Sequence, residues 1–550
     1  MPYARVSYEK IAEQYQRLFQ KLQTVSNEQD CRQILKDHTE LLDAMTSISL
    51  CSVRHDMNMN DPFYAEEQRY YDEIGPMLTE LENQYGRLLI ESPFYSSFEQ
   101  QMGSFAFSLI KGGLDGYDSR LIPLEQEENT LTSEYNQLTA NAKAEYNGDL
   151  VSRSSLSALA ESPDPEVRRK VSEALARSWR SQQENLESIF DRLVKNRDAQ
   201  ARLLGFRDYV SLGYLRMNRI GYTPEEVNIF REQVKKYIIP IAAEINEQRK
   251  VRLHLDHLYT YDSSVYFTDG NPVPLGDNSF CLEMTREMYT RLSPETAEFI
   301  SFLMDHGLYD VEARNGKFTG AYCAQFDSFR SPFILASFDG TSENAYVMSH
   351  EGGHAFYFYL KRSEEIRERG CYTSDMAETH AMSMEMFLRP YMDLFFGDRA
   401  DDYRTMHLGN AVWRIIYQCQ QYEFQEIIYR HPKLTPQQRN EVWKKLEKDY
   451  FPFREYTEDE SQRIGSRWQK IPHIYLWPFY AIDYALAQVC ALEYCQWMNE
   501  DFEKAWQSYL TFCHTSGNLN FPETIKAAGL GSPFEEGCLK NLMIWLKKQL

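Results

Sequence analysis

Residues 350–354 read His-Glu-Gly-Gly-His. On a helix, positions i and i+4 share one face. His350 and His354 can therefore hold one metal ion through their imidazoles, while Glu351 reaches a metal-bound water without ligating. With 12 His in 550 residues, chance alone gives such a pattern about 0.02 times. The competing reading is two unrelated helix histidines beside a solvated acid. A tetrahedral catalytic zinc needs a third protein ligand and one open position. A histidine six residues after His354 would supply it, but that position is Leu360. A glutamate from a second helix is the other common solution. Ser374 can cap a helix running DMAETHAMSMEMF, on which Glu378 and Glu385, seven apart, share a face. The spacing favours Glu378 as ligand and Glu385 as the group that orients one histidine through its free ring N–H. His380 is the main competing ligand. Glu364, Glu365 and Glu368 lie in a charge run that reads as solvated surface.

These residues need elements to hold them. Phe333 to Phe338 (FILASF) reads as a short apolar strand, Asp339-Gly340 as a turn, and Thr341 or Ser342 as the cap of the motif's helix. Two adjacent glycines inside a helix cost about 1 kcal/mol each relative to alanine. A helix accepts that where a metal, a second helix or a peptide must come close. Most of the remaining chain is helical in pattern. Tyr8, Ile11, Tyr15, Leu18 and Leu22 form an amphipathic stripe. Ser26 with Gln29 suggests a capping box, and Ser162 to Glu166 starts a charged helix that runs through Arg180. A hairpin is expected over Ala142 to Ser155, turned by Asn147-Gly148, and a loop over Asp256 to Asn278. Ile474 to Tyr494 is the longest apolar candidate for a membrane span. It contains Pro478, Asp483, Gln488 and Glu493 and reads as a buried helix. A soft boundary near residues 190 to 210 suggests a helical region 1–195 and a catalytic region 196–550.

Hydrophobic residues at 43% exclude a disordered chain, and aromatics at 14% must fill an interior or line a groove. A net charge of -22 repels phosphate backbones, so nucleic-acid partners are not expected. The ten cysteines show no metal-type clustering, and Cys490 and Cys495 match no zinc or redox pair. The first residues, MPYARVSYEKIAEQYQ, hold no apolar stretch of signal type. A cytoplasmic protein with reduced thiols and no membrane partner is expected. Its oligomeric state is left open.

Three segments together, HEGGHAF (His350 to Phe356), AETHAMSMEMF (Ala377 to Phe387) and HIYLWPFYAIDYALAQ (His473 to Gln488), resemble the M3 peptidase family in its oligoendopeptidase F branch. GAYC at Gly320 to Cys323 and the stretch SPFILASFDGTSENAYVMSHE are similar too, so the likeness spans at least residues 315 to 495. Tyr357 departs from the Gln or His common at that place, which bears on substrate contacts and not on the metal. The resemblance implies a mainly α fold: a largely helical two-part peptidase with a deep central channel and a small β element beside the active-site helix. It implies one zinc per chain on His350, His354 and Glu378, with Glu351 as catalytic base. It also implies that His473, with Tyr480 and Tyr484, stabilises the oxyanion; from composition alone these tyrosines read as core.

The expected reaction is cleavage of internal bonds in short unstructured oligopeptides, by Glu-assisted attack of a metal-bound water. The strand around Phe333 to Phe338 (Leu335, Ala336, Ser337) is expected to pair with the substrate backbone. Gly320, Ala321 and Tyr322 are expected to form a loop over it. An exopeptidase with the same motif, or an inert peptide-binding protein, are the alternatives.

Overall fold

A computed structural model describes residues 1–318 and 320–549. The chain is mainly α-helical and forms two compact units, each assembled from three separate stretches. The first is Met1–Asp115, Val273–Ala400 and Cys490–Ser532; the second is Gly116–Pro272, Asp401–Val489 and Pro533–Leu550. Position 195 lies inside the helix Gln183–Leu203 of the second unit. Among the described residues no helix is long and apolar enough to cross a membrane.

In the first unit, helices α1 (Tyr8–Gln23), α2 (Glu28–Ala44), α3 (Thr46–Met57) and α4 (Pro62–Glu91) pack through their apolar faces. Ile11, Tyr15, Leu18 and Leu22 of α1 are buried as the stripe requires, and each such side chain contributes about 1.5–3 kcal/mol. The cap of α2 is one residue later than the sequence suggests. Asn27 accepts from the Asp30 N–H, and the Asp30 carboxylate reaches back to the Ser26 N–H and hydroxyl. Asp30, not Gln29, is therefore the reciprocal partner.

The same unit holds a three-stranded sheet of order β3-β5-β4, with β3 at Tyr309–Asp310, β4 at Tyr322–Phe326 and β5 at Ser331–Leu335. The expected apolar strand is β5, but it ends at Leu335 and is the central strand. Leu335 stands opposite Asp310 on one side and Tyr322 on the other. Ala336 donates its N–H to Asp310 and accepts from the buried Lys317 ammonium. Leu335 and Ala336 are therefore engaged within the sheet, which corrects their assignment as the strand that pairs with substrate, while Ser337 lies beyond the last residue of β5. The two edge strands are the short β3 and the longer β4.

The second unit contains the hairpin β1 (Lys143–Tyr146) and β2 (Asp149–Ser152), paired antiparallel. Asn147 and Gly148 adopt φ of 53° and 89°, the left-handed pair that a tight hairpin demands. The helix Pro165–Arg180 runs as expected, capped by Asp164. The stretch read as one helix from Ile474 is broken. A short helix, Pro472–Leu476, ends before Pro478, and a second, Ala481–Glu500, follows. Phe479 sits between them at φ 70°, held by its N–H to Gln425 and its carbonyl to Arg219. Asp483, the charge inside this apolar stretch, is buried against Arg219 at 2.6 Å.

Candidate metal centre

The motif lies on the helix Glu343–Lys361, reached through Gly340 at φ 81°. The Thr341 hydroxyl accepts from the Glu343 N–H, so the cap chemistry sits where the sequence puts it. The facing helix is Ser374–Leu388, with Thr373 in the N-cap position, one residue before the expected Ser374. The glycine pair explains how close the two helices come. A Cβ on Gly353 would meet the Ala381 Cα at 2.6 Å and the His380 carbonyl oxygen at 2.9 Å. A Cβ on Gly352 would meet the Tyr289 hydroxyl, which donates to the carbonyls of Met348 and Ser349. A second helix and a buried phenol thus account for both glycines.

Across this contact His350, His354 and Glu378 each aim one ligand atom at a common point, all within 4.8 Å of one another. His350 Nε2 and Glu378 Oε2 are 3.5 Å apart. Metal–ligand bonds of about 2.0–2.1 Å at tetrahedral angles separate ligand atoms by roughly 3.3 Å, so the donor set fits a zinc ion. Glu385 lies 2.7 Å from His350 Nδ1, which fixes that ring and leaves Nε2 for the group. Glu351 is 7% exposed.

Electrostatics point the same way. Burial opposes charge on His350, but the hydrogen bonds to Glu378 and Glu385 outweigh it and hold its pKa up at about 10. Burial takes His354 down to about 4, despite Glu378. Burial, reinforced by Glu378 and Glu385, raises Glu351 to about 7, while His350 and a backbone hydrogen bond from Cys323 pull the other way. Three carboxylates around one imidazole hold a proton where a cation would sit.

His380, the competing ligand, is outside this group. It is fully buried, hydrogen-bonds to Ser516 and stacks on Tyr357 with ring centroids 4.1 Å apart. Tyr357 itself is core, donating to the Gly370 carbonyl, so its departure from the family pattern touches packing. Glu368 corrects the surface reading of its charge run: it is buried and lies 2.8 Å from His38 of α2. Glu365 is exposed. Gly320 and Ala321 precede β4, and the Tyr322 hydroxyl donates to Asp56. Ser337 is half-buried and donates to the Phe318 carbonyl.

In the second unit, His473, Tyr480 and Tyr484 come together across the broken helix. The His473 ring lies 5.7 Å from Tyr480 and 6.0 Å from Tyr484, and the two phenols are 5.1 Å apart. Tyr475 is separate, buried with its hydroxyl on the Leu186 carbonyl. Sequence reasoning missed Tyr289, the Cys323 backbone and the His38–Glu368 pair. Gly352 was the one available signal, since it asks for a close neighbour without naming it.

The family model described as peptidase M3 N-terminal domain matches residues 1–115, and that of peptidase family M3 matches 158–271 and 297–544. Oligopeptidase PepF of Bacillus subtilis (strain 168) is 24% identical over 400 residues, 69% of this chain and 56% of that protein. Group B oligopeptidase PepB of Streptococcus agalactiae serotype III (strain NEM316) is 24% identical over 383 residues, 67% of this chain and 60% of that protein. The chain thus spans little more than half the length of these curated relatives. A solved structure of PZ peptidase A with inhibitor 2 is 38% identical with a TM-score of 0.94, covering 100% of this chain and 98% of that one.

Proposed function

Because the chain belongs to peptidase family M3, we propose that it is a zinc-dependent oligopeptidase that hydrolyses internal peptide bonds of short unstructured peptides. The observation that carries this reading is the convergence of His350, His354 and Glu378 beside the buried Glu351. Those three residues would hold one zinc per chain. When bound, the metal would supply Lewis acidity toward the scissile carbonyl and lower the pKa of a coordinated water to about 7.

Glu351 takes the proton from the attacking water and passes it to the leaving nitrogen. Its buried position keeps competing solvent away from the proton that it moves. Glu385 holds the His350 ring in one tautomer and orientation. His473, with Tyr480 and Tyr484, donates hydrogen bonds to the carbonyl oxygen as it gains charge; one such donor is typically worth about 3 kcal/mol. The substrate backbone adds as a strand along the outer edge of β4, with Gly320, Ala321 and Tyr322 at its start. Main-chain pairing of this kind asks little of the side chains and suits broad specificity. Ten free cysteines suit a reducing compartment and support a cytoplasmic place of action.

Metal analysis combined with turnover of an end-blocked, internally quenched peptide tests the reading on the wild type and Glu351→Gln. About one zinc is expected in each, with turnover lost by several orders of magnitude only in the variant. Comparable hydrolysis by the variant removes Glu351 from the mechanism. Cleavage confined to peptides with a free amino terminus makes the enzyme an exopeptidase.

A further inference from the structure

The second unit carries a concentration of positive charge that the chemistry above does not use. A cavity of about 410 Å³ is lined by Arg414, Arg454, Arg467 and Lys470, with Glu447 as the acidic residue on its wall. It adjoins a second cavity of about 300 Å³ through Arg467 and Lys470, which line both. Four cations against one carboxylate is a marked local excess in a chain of net charge -22.

Glu447 does not neutralise the group. It is already engaged by Arg454, by the Gln420 amide at 2.7 Å and by the Tyr456 hydroxyl at 2.7 Å. These partners overcome its burial and hold its pKa down at about 2, so it stays ionised and committed. Arg467 approaches it only to 4.0 Å. The Lys470 ammonium is in no hydrogen bond or ion pair with the described residues. Lys470 is exposed to solvent on the cavity wall. The carboxylates that bear on Lys470 are Glu447, committed to Arg454, and Glu460 on the wall of the adjoining cavity, so the cluster keeps a net positive charge for an anion that arrives from outside. Trp413 adds an apolar wall that would accommodate the chain carrying that anion.

We infer that the cavity bounded by Lys470, Arg467, Arg454 and Arg414 is a carboxylate-binding subsite for oligopeptides. The inference rests on the peptidase reading for its choice of ligand, since carboxylates are the anions that a peptide brings. The C-terminal carboxylate and an Asp or Glu side chain offer the same group. Guanidinium forks match its two oxygens, and an ammonium adds a point charge. Lys470 is three residues before His473 in the chain. Binding at the subsite would therefore act on the segment that carries the proposed oxyanion donors.

The test uses the full-length, metal-loaded protein and three peptides of one sequence: free acid, C-terminal amide, and amide with one internal Gln→Glu replacement. Specificity constants and calorimetric binding to the Glu351→Gln form are measured for each. The wild type is expected to favour one carboxylate-bearing peptide over the plain amide by about tenfold, the worth of one charge-assisted contact. Which peptide gains identifies the source of the carboxylate. Lys470→Met should bring the acid-to-amide ratio near one in both measurements, and Lys470→Arg should keep it. A wild-type ratio near one for both acids overturns the subsite while leaving the peptidase reading intact, and so does a ratio that Lys470→Met leaves unchanged. Selective binding without turnover of any peptide defeats the peptidase reading and leaves the subsite standing. Absence of both defeats both.

Discussion

Gly353→Ala puts the smallest possible wedge between the two helices that carry the candidate ligands. The new Cβ would lie 2.6 Å from the Ala381 Cα, and ordinary contact begins at 3.4 Å. The obstruction is backbone, so it cannot swing aside as a flexible side chain can. The helices must part by about 0.8 Å, the difference between those distances. Carried to the His350–Glu385 hydrogen bond, that movement stretches 2.7 Å toward the limit at which the bond is lost. Overpacking costs about 1–3 kcal/mol, and replacing a helical glycine returns about 1 kcal/mol, so the net change in stability is small and unfavourable. The larger effect falls on the metal, because loosening a group that orients a ligand typically weakens binding 10- to 100-fold. Zinc competition against a chelator of known affinity measures this directly. Gly113→Ala is the control, since it lies in the helix Ser104–Asp115, its Cβ meets nothing within 4 Å and it gains the same helix propensity. If Gly353→Ala binds zinc within twofold of the wild type, the helix contact does not set the site and the reasoning is wrong.

Two further perturbations probe what supports the site. His38 lies 2.8 Å from Glu368 and 3.2 Å from Glu82, and these partners outweigh burial to raise its pKa to about 9. A folded-state pKa above the unfolded value of about 6.5 gives stability that is complete below that pH and lost as pH rises through 9. The shift corresponds to at most about 3 kcal/mol. The melting-point advantage of wild type over His38→Gln should shrink steadily from pH 6 to pH 10; an advantage independent of pH contradicts the charged pairing. Lys317→Met removes a buried ammonium that donates to the Asp310 carboxylate and to the carbonyls of Asp310, Glu312 and Ala336. Breaking it should destabilise the sheet by about 3 kcal/mol and speed proteolysis in residues 311–318. An unchanged digestion rate would show that this strap is dispensable.

Local periodicity carried most of the candidate site. Imidazoles four apart must share a helical face, and so must Glu378 and Glu385 seven apart; these relations survive whatever surrounds them. The hairpin at Asn147-Gly148, the start of the helix at Pro165 and the stripe of α1 were legible for the same reason, since each is decided within a few residues. What only the tertiary structure decided involves segments far apart in the chain. The apolar run at Phe333 identified a strand, but its place in the middle of a sheet depended on Tyr309 and Tyr322 arriving on either side. Glu368 looked like surface because its partner, His38, lies 330 residues away. The break at Phe479 needs Arg219 and Gln425 to hold a left-handed residue that its own neighbours do not ask for. Sequence determines which faces and turns are possible, because sterics and hydrogen-bond geometry act over one or two turns of chain. Which faces meet, and which edge is left open, is settled by burial among distant segments, and no local pattern encodes that choice.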